Sequence, residues 1–266
     1  MTTPTSSRRG PLLAVLALGI VIAGAAGTWY LFLRPAGPPP VSLATLPPVT
    51  ATASAGTGSA TEAPSASADV GATASSDATA ADGITGTWVV DPSVGSISDF
   101  SSTFVGYRVR EELASIGATE AVGRTPDVTG SLTIEGTTIT AGELTADLTT
   151  LQSDESNRDR QLQRQALETS QFPTATFTLT QPVDLGSVPD EGATVELTLA
   201  GDLTLHGVTN PVEVPVAARL QGGVITVVGS LPIVFADYGI ATPRSMIVLS
   251  VEDNGTMEFQ VHFSPA

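Results

Sequence analysis

Residues 194–220, TVELTLAGDLTLHGVTNPVEVPVAARL, constrain the fold more than any other stretch because their side chains alternate. Every odd position from Val195 to Leu205 is apolar except Gly201, and the even positions are mostly polar. From Val212 to Leu220 the even positions carry the apolar residues. A period of two gives a strand one apolar and one polar face. The stretch therefore predicts two long strands joined by a turn at 207–210, with an apolar face that packed side chains or a bound apolar molecule must cover.

The rest of residues 83–266 reads as short strands separated by glycine, proline and aspartate turns. Gly142 lies where the alternation changes phase, which is typical of a bulge. One helix is expected at 156–170, which lacks glycine and proline. The pattern predicts an all-β antiparallel sandwich or barrel. The expected strands are 87–91, 96–103, 130–135, 138–148, 174–181, 224–229, 231–235, 247–251 and 257–263.

The N-terminal part predicts a membrane anchor. Residues 11–33 contain no charge and span about 34 Å as a helix, which matches the roughly 30 Å hydrocarbon core of a bilayer. Arg8 and Arg9 favour a cytoplasmic N-terminus at residues 1–10 and an extracytoplasmic C-terminal domain. The alternative is a cleaved signal peptide followed by secretion, because Ala25, Ala26 and Gly27 are small. Either way the sequence predicts that the rest of the chain is exported.

Composition separates a tether from a folded domain and excludes some partners. Residues 34–82 consist mainly of Ala, Ser, Thr, Pro and Gly, which predicts a disordered linker. Residues 83–266 are long enough for one domain with a full core. The chain carries 27 acidic against 11 basic residues, which argues against a nucleic-acid partner. It contains no cysteine, so disulfides and thiolate chemistry are excluded.

Several motifs in order resemble those of the YceI-like family. The run 201–209, GDLTLHGVT, resembles its G-x-L-T-x-H-G-V-T signature, and residues 172–177, FPTATF, resemble its F-P-x-x-x-F element. Residues 157–162, 236–240 and the opening 88–100 are also similar to family elements. The resemblance implies an extended lipocalin-like antiparallel β-barrel with an apolar tunnel that binds an isoprenoid lipid or quinone. Residues 108–126 are longer than in the family pattern and are expected to form a lid or a helix at the tunnel mouth.

Inward-facing positions supply the candidate ligand-binding residues. Arg158 and Asp159, on the expected helix, are candidates for contact with a polar head group at the mouth; a local ion pair is the alternative. The candidate tunnel-wall residues are Phe104, Phe172, Phe177, Leu203, Leu205, Val214, Phe235, Phe259 and Phe263. In any β domain many of these would be ordinary core side chains.

The sequence offers little for catalysis. The strand phase places His206 and His262 with the outward polar residues, and Asp202 with His206 alone is too few ligands to predict a metal site. The chain has no G-x-S-x-G, phosphate-binding glycine loop or dinucleotide fingerprint. The sequence therefore predicts a non-catalytic, membrane-anchored lipid-binding protein without a metal or cofactor. The alternative is a structural or adhesive envelope domain whose interior is packed shut.

Overall fold

The computed structural model describes residues 38–43, 83–114, 117–242 and 248–266. The predicted cytoplasmic segment 1–10 and anchor 11–33 lie outside these residues, as does all of the predicted linker except 38–43. Within the described ranges no helix is both long enough and apolar enough to cross a bilayer. In the short linker piece, the carbonyl of Pro39 accepts a hydrogen bond from Arg124 Nη2 at 3.0 Å and Leu43 is buried.

Eight antiparallel strands close into a barrel in the order β1-β4-β5-β7-β9-β10-β11-β13, and β13 pairs back with β1. The all-β antiparallel barrel predicted from the alternation is confirmed. The strands within the described residues are β1 Gly86–Val90, β2 Phe104–Leu113, β3 Gly117–Thr125, β4 Val128–Glu135, β5 Thr138–Asp147, β6 Gln152–Ser153, β7 Thr174–Leu179, β8 Val183–Asp184, β9 Thr194–Leu205, β10 Val208–Gln221, β11 Val224–Val234, β12 Val248–Val251 and β13 Asn254–Pro265.

Strands β2 and β3 correct the expectation for 108–126, because nearly all of its described residues lie in these strands rather than in a lid or a helix. They pair along their whole length, and β2 extends the sheet from residues 256–260 of β13. The charged residues of this stretch pair across strands. Arg108 on β2 contacts Glu120 on β3 at 2.8 Å and Glu258 on β13 at 2.8 Å.

The β9–β10 hairpin is the longest strand pair of the barrel, as the alternation predicts, but its turn lies earlier. β10 begins at Val208, so only His206 and Gly207 form the loop. Both have positive φ, 52° and 75°, which a two-residue hairpin turn matching the sheet twist requires. The predicted turn at 207–210 is therefore wrong, because residues 208–210 already pair with β9.

The segment 96–103 is also not the expected strand. Residues Ile97–Asp99 form a single 3₁₀ turn, which Ser96 caps by accepting from Ser98 N. Asp99 then accepts from the backbone and hydroxyl of Ser101. Serine and aspartate side chains offer the backbone local partners in place of a ladder, so this segment folds over the sheet instead of joining it.

The expected helix at 156–170 is shorter than predicted. The helix α1 runs over Ser156–Gln161 and continues as a π-type turn, Leu162–Ala166. The predicted phase change in β5 is present, but the extra residue is Thr140 rather than Gly142, because Thr133 pairs with Ala141 and Ile134 with Ile139.

The two ends of the barrel differ. The closed end consists of residues 148–173, the turn 206–207 and residues 235–240, and it buries a packed apolar cluster beneath them. The mouth end consists of residues 83–84, 136–137, 185–193 and 222–223. The apolar core is continuous through the barrel, and we call its buried side chains at this end the closed-end cluster: Leu148, Leu151, Leu167, Leu205, Ile233 and Tyr238.

Candidate functional site: an apolar channel

A cavity occupies the barrel interior on the mouth side of this cluster. Its volume is about 150 Å³, and it opens to solvent at its mouth. Its walls come from every strand of the closed ring except β1. Nearly all the wall side chains are apolar, and the polar residues among them are Ser131, Glu143, Thr176 and Arg219. Such a surface suits an apolar ligand with few polar contacts.

Burial along β9 shows which way the channel opens. Val195, Leu197 and Leu199 line it and are half-buried, whereas Leu203, farther along the strand, is 2 % exposed. On β10, Leu220 and Ala218 are half-buried and Val216 and Val214 are buried. The channel is therefore open towards the mouth end and closed beneath the 206–207 turn.

The opening arises because the wall is incomplete between β5 and β9. Strand β7 bridges them only as far as Leu179, which pairs with Gly201. Beyond that point β8 pairs with β5 alone. Residues 185–193 span the remaining gap: Leu185 N donates to Thr137 O at 2.9 Å, and Gly192 N donates to Leu220 O at 2.7 Å. This loop also lines the channel through Leu185, Pro189 and Ala193.

Glycines in the wall let aromatic rings lie flat and leave the channel free. A Cβ on Gly201 would lie 2.3 Å from the Phe177 ring, and one on Gly229 would lie 2.5 Å from the Phe259 ring. Both rings line the cavity. Gly201, the single break in the apolar row of β9, thus makes room for the Phe177 ring from the neighbouring strand β7.

Five of the nine candidate wall residues line the channel: Phe177, Leu203, Val214, Phe259 and Phe263. That they contact a ligand stays a prediction.

The other four candidates lie elsewhere. Phe104 is buried with its ring under the Arg124 guanidinium, at 3.9 Å. Leu205 belongs to the closed-end cluster. Phe172 packs edge-on against His206, with ring centroids 4.5 Å apart. Phe235 begins the 3₁₀ turn Phe235–Tyr238 and packs against the core. Strand phase predicts which face of the sheet a residue such as Leu205 lies on, but not its position along the barrel axis. It does not apply to Phe172 and Phe235, which are not in strands.

Sequence reasoning missed the contributions of β4, β5 and the mouth end. Leu132, Ile134, Ile139 and Leu144 line the channel. Their alternation is visible in the sequence. Ile139 and Leu144 are five residues apart, so a regular strand would place them on opposite faces, and only the bulge between them turns both inward. Arg219 was missed because the phase of β10 places it outward, yet at the strand end it borders the cavity.

The head-group candidates Arg158 and Asp159 do not line the channel. Arg158 contacts Glu111 and Asp154, each at 2.6 Å. Asp159 accepts from Ser153 N at 2.9 Å and from Ser153 Oγ at 2.6 Å. These bonds fasten α1 to β2 and β6, and they use the groups that a head group would need.

His206 holds the closed end together. Nδ1 lies 3.0 Å from Tyr238 O and Nε2 lies 3.1 Å from Glu168 Oε2. The imidazole therefore connects the 206–207 turn to both the 235–238 turn and residue 168. Asn210 also donates to Asp237 O at 2.9 Å. The motifs around residues 172, 206 and 238 therefore meet in a structural plug.

His262 corrects the expectation that both histidines are solvent-facing. It points away from the channel, as predicted, but is 0 % exposed because the 96–103 segment covers it. Nε2 donates to Ser101 O at 2.7 Å, so Nδ1 accepts from the Thr226 hydroxyl at 2.9 Å. Burial lowers the pKa of His262 below its ordinary value.

The same covered face of β13 holds an ion-pair cluster. Glu258, 1 % exposed, contacts Arg108 and Arg124 at 2.8 Å each. The Arg124 guanidinium also stacks on the Phe104 ring. These charges fasten β2, β3 and β13 together outside the channel. No group of three or more histidine or carboxylate side chains placed to hold a metal ion occurs in the part of the chain that the structure describes.

Comparisons with known proteins agree with this architecture. A family model described as YceI-like domain matches residues 88–263. A polyisoprenoid binding domain from Saccharophagus degradans, implicated in plant cell wall breakdown, superposes with a TM-score of 0.53 at 17% identity, covering 68% of this chain and 99% of that one. BcnA of Burkholderia cenocepacia gives 0.48 at 18% identity, covering 60% and 95%. No curated protein sequence matches.

Proposed function

Because the chain belongs to the family of YceI-like domains, we propose that it binds one apolar, chain-like lipid of the isoprenoid type in the barrel channel and does not catalyse a reaction. The observation that carries the proposal is the apolar channel itself, open at one end and closed by a packed plug at the other. The similar domain from Saccharophagus degradans is described as polyisoprenoid binding, which supports this ligand class.

The dimensions of the channel favour a chain over a compact ligand. The lining row on β9 runs from Val195 to Leu203, nine residues separated by eight steps, or about 26 Å at roughly 3.3 Å per step. An extended chain advances about 1.2 Å per bond, so this length holds roughly five isoprene units of about four chain bonds each. Each buried CH₂ contributes about 0.8 kcal/mol without needing a polar partner.

The placement of the polar groups favours binding over catalysis. The histidines and the ion pairs of the described region are engaged in the plug, the covered face of β13 and the α1 contacts, and they do not line the channel. A catalytic site needs a nucleophile, acid or base within reach of the substrate.

We further propose that segment 11–33 anchors the domain outside the cytoplasm, with 34–82 as the tether. The length of the uncharged run and the preceding arginines support anchoring. The chain enters the barrel at the mouth end, where Ile84 lines the channel and a Cβ on Gly83 would contact Val188. The intact mass of the native protein distinguishes this anchor from a cleaved signal peptide.

The test is a chain-length series. Prenyl alcohols of two to eight isoprene units are titrated into the full-length protein, and their dissociation constants are measured by displacement of a fluorescent apolar probe. The proposal expects affinity to rise with length and to level off near the roughly five units that fill the channel. Equal weak binding at every length, or none, would overturn the proposal and favour a packed structural domain.

A further inference from the structure

The loop 185–193 crosses the mouth of the channel. It leads into β9, and in the closed ring of eight strands β9 stands opposite β1, with three strands between them on either side. The tip of the loop nevertheless meets the chain just before β1. A Cβ on Gly83 would lie 3.3 Å from both methyl groups of Val188. The loop therefore reaches from one side of the mouth to the other.

The two sides of this loop differ. Leu185, Pro189 and Ala193 are half-buried and line the channel. Val188, by contrast, is 45% exposed on the outer side. The loop thus presents an apolar inner side to the channel, and this side forms part of the wall that a bound lipid contacts.

The loop is fastened firmly at its ends and lightly between them. The two backbone hydrogen bonds to Thr137 O and Leu220 O hold residues 185 and 192. Residues 186–193 belong to no strand. Contacts of this middle part are the approach of Val188 to residue 83 and an exposed hydrogen bond from Gly222 N to Glu191 Oε1 at 2.9 Å. A segment with few buried contacts separates from its neighbours at a low cost in free energy.

Glycines at both ends of this middle part can act as hinges. Gly186 and Gly192 have φ of 72° and 79°, and a Cβ on either would meet no atom within 4 Å. Glycine accepts large changes of φ and ψ, and the open space leaves room for them. The other side of the contact is fixed, because Ile84 O accepts from Trp88 Nε1 at 2.9 Å.

We propose that residues 186–192 form a strap that moves away from residue 83 to admit the lipid and then closes over its tail. Strand ladders join all neighbours in the ring, and the plug closes the far end. The strap is therefore the part of the wall that moves with the fewest bonds broken. This inference rests on the proposed function, since it describes how the same lipid enters. It predicts that the strap sets the rates of binding and release.

The test locks the strap with a reversible disulfide between Gly83→Cys and Val188→Cys. The Cβ positions of these residues lie 3.9 Å apart, within the range of disulfides, and the chain contains no other cysteine. The matched control pairs Thr204→Cys with Thr209→Cys at the closed end, where the two hydroxyls lie 2.8 Å apart. Each full-length variant is compared with itself, oxidised and reduced. Any strain from a cysteine at residue 83, where φ is 60°, then affects both forms alike.

Stopped-flow displacement of a fluorescent apolar probe by geranylgeraniol measures the two rates. Oxidation of the strap pair should slow both binding and release by at least about tenfold, and reduction should restore them to within about twofold of wild type. Oxidation of the control pair should change neither rate. Geranylgeraniol loaded before oxidation of the strap pair should stay bound through dialysis and leave when reductant is added.

The single variant Val188→Ser tests the strap in the opposite direction without a disulfide. It removes both methyl groups at an exposed position, and release should become at least about twofold faster because closure is weakened. Equal rates in the oxidised and reduced strap pair, or release from the oxidised form without reductant, would overturn the strap and leave the channel intact. Unchanged release from Val188→Ser would also count against it. Failure of wild type to bind any prenyl alcohol would instead refute the proposed function.

Discussion

Replacing Ala218 with tryptophan separates an empty channel from a packed core. Ala218 lines the cavity on β10 and faces Val195 across the strand pair. A tryptophan side chain has about 150–250 Å² to bury. If half of this area contacts the channel wall, burial contributes about 2 to 3 kcal/mol at roughly 25 cal/mol per Å². Ordering the side chain costs up to about 2 kcal/mol. We therefore expect the free energy of unfolding of Ala218→Trp to equal or slightly exceed that of wild type.

The matched control is Ala121→Trp. Ala121 is 4% exposed on β3 and does not line the channel. Overpacking a filled site costs about 1–3 kcal/mol or more. At about 2–4 °C per kcal/mol for a domain of this size, a loss of about 3 kcal/mol lowers the melting temperature by roughly 6–12 °C.

Two assays decide the outcome: thermal unfolding followed by circular dichroism, and displacement of a fluorescent apolar probe by a prenyl alcohol. Ala218→Trp should keep its melting temperature and lose at least tenfold in ligand affinity, because the ring occupies the tail's space. A melting temperature as low as that of Ala121→Trp would refute the reasoning, since it would mean that the interior is already filled. Unchanged affinity in a folded Ala218→Trp protein would show that the ligand does not enter past this residue.

Three further predictions follow from the wall glycines, the buried ion pairs and His262. Gly201→Ala should lose about 1–3 kcal/mol of stability in urea unfolding, because its Cβ would lie 2.3 Å from the Phe177 ring and 2.6 Å from Thr178 O. The control Gly142→Ala should be nearly neutral, because the nearest neighbours of its Cβ would lie at 3.7 Å. Equal losses of stability in the two variants would contradict the account. Glu258→Gln should lose about 3 kcal/mol of unfolding free energy, because the substitution removes the buried carboxylate that pairs with two arginines. The control Glu120→Gln, at a side chain that is 47% exposed, should lose less than about 1 kcal/mol. Similar losses in the two variants would argue against the buried ion-pair cluster. Because the pKa of His262 is lowered in the folded state, unfolding takes up a proton below the ordinary value of 6.5, so stability should be full above that pH and fall as the pH drops below it. His262→Gln should flatten that part of the stability–pH curve, and a slope unchanged by the substitution would assign it to other groups.

Periodicity predicted the strands well where one face is apolar and the other polar. It located β9, β10 and β13 because their residues alternate over long stretches. It failed at 96–103, where Ser96 and Asp99 bond the local backbone. It gave no strands at 108–126, whose charges pair across strands with partners as distant as Glu258. Such partners are far apart in sequence, so the pattern near each residue does not show them.

The candidate site was predictable in part for a similar reason. Strand phase identified the inward side of Phe177, Leu203 and Val214, but nothing local distinguishes a residue that lines the channel from one in the plug. That difference depends on where β7 ends and where residues 148–173 fold over the barrel. Leu205 follows Leu203 in the same row and is also buried, yet only Leu203 lines the channel. Arg219 borders the channel only because β10 ends at the mouth.

Organic extraction followed by mass spectrometry tests the central claim most directly. The full-length protein is purified from its native membrane or medium, extracted, and compared with Ala218→Trp prepared in the same way. A channel that binds an isoprenoid chain predicts about one apolar chain-like molecule per wild-type protein and little or none in the variant. Repeated preparations of wild type that contain no such molecule, and that take none up from added prenyl lipid, would contradict the account.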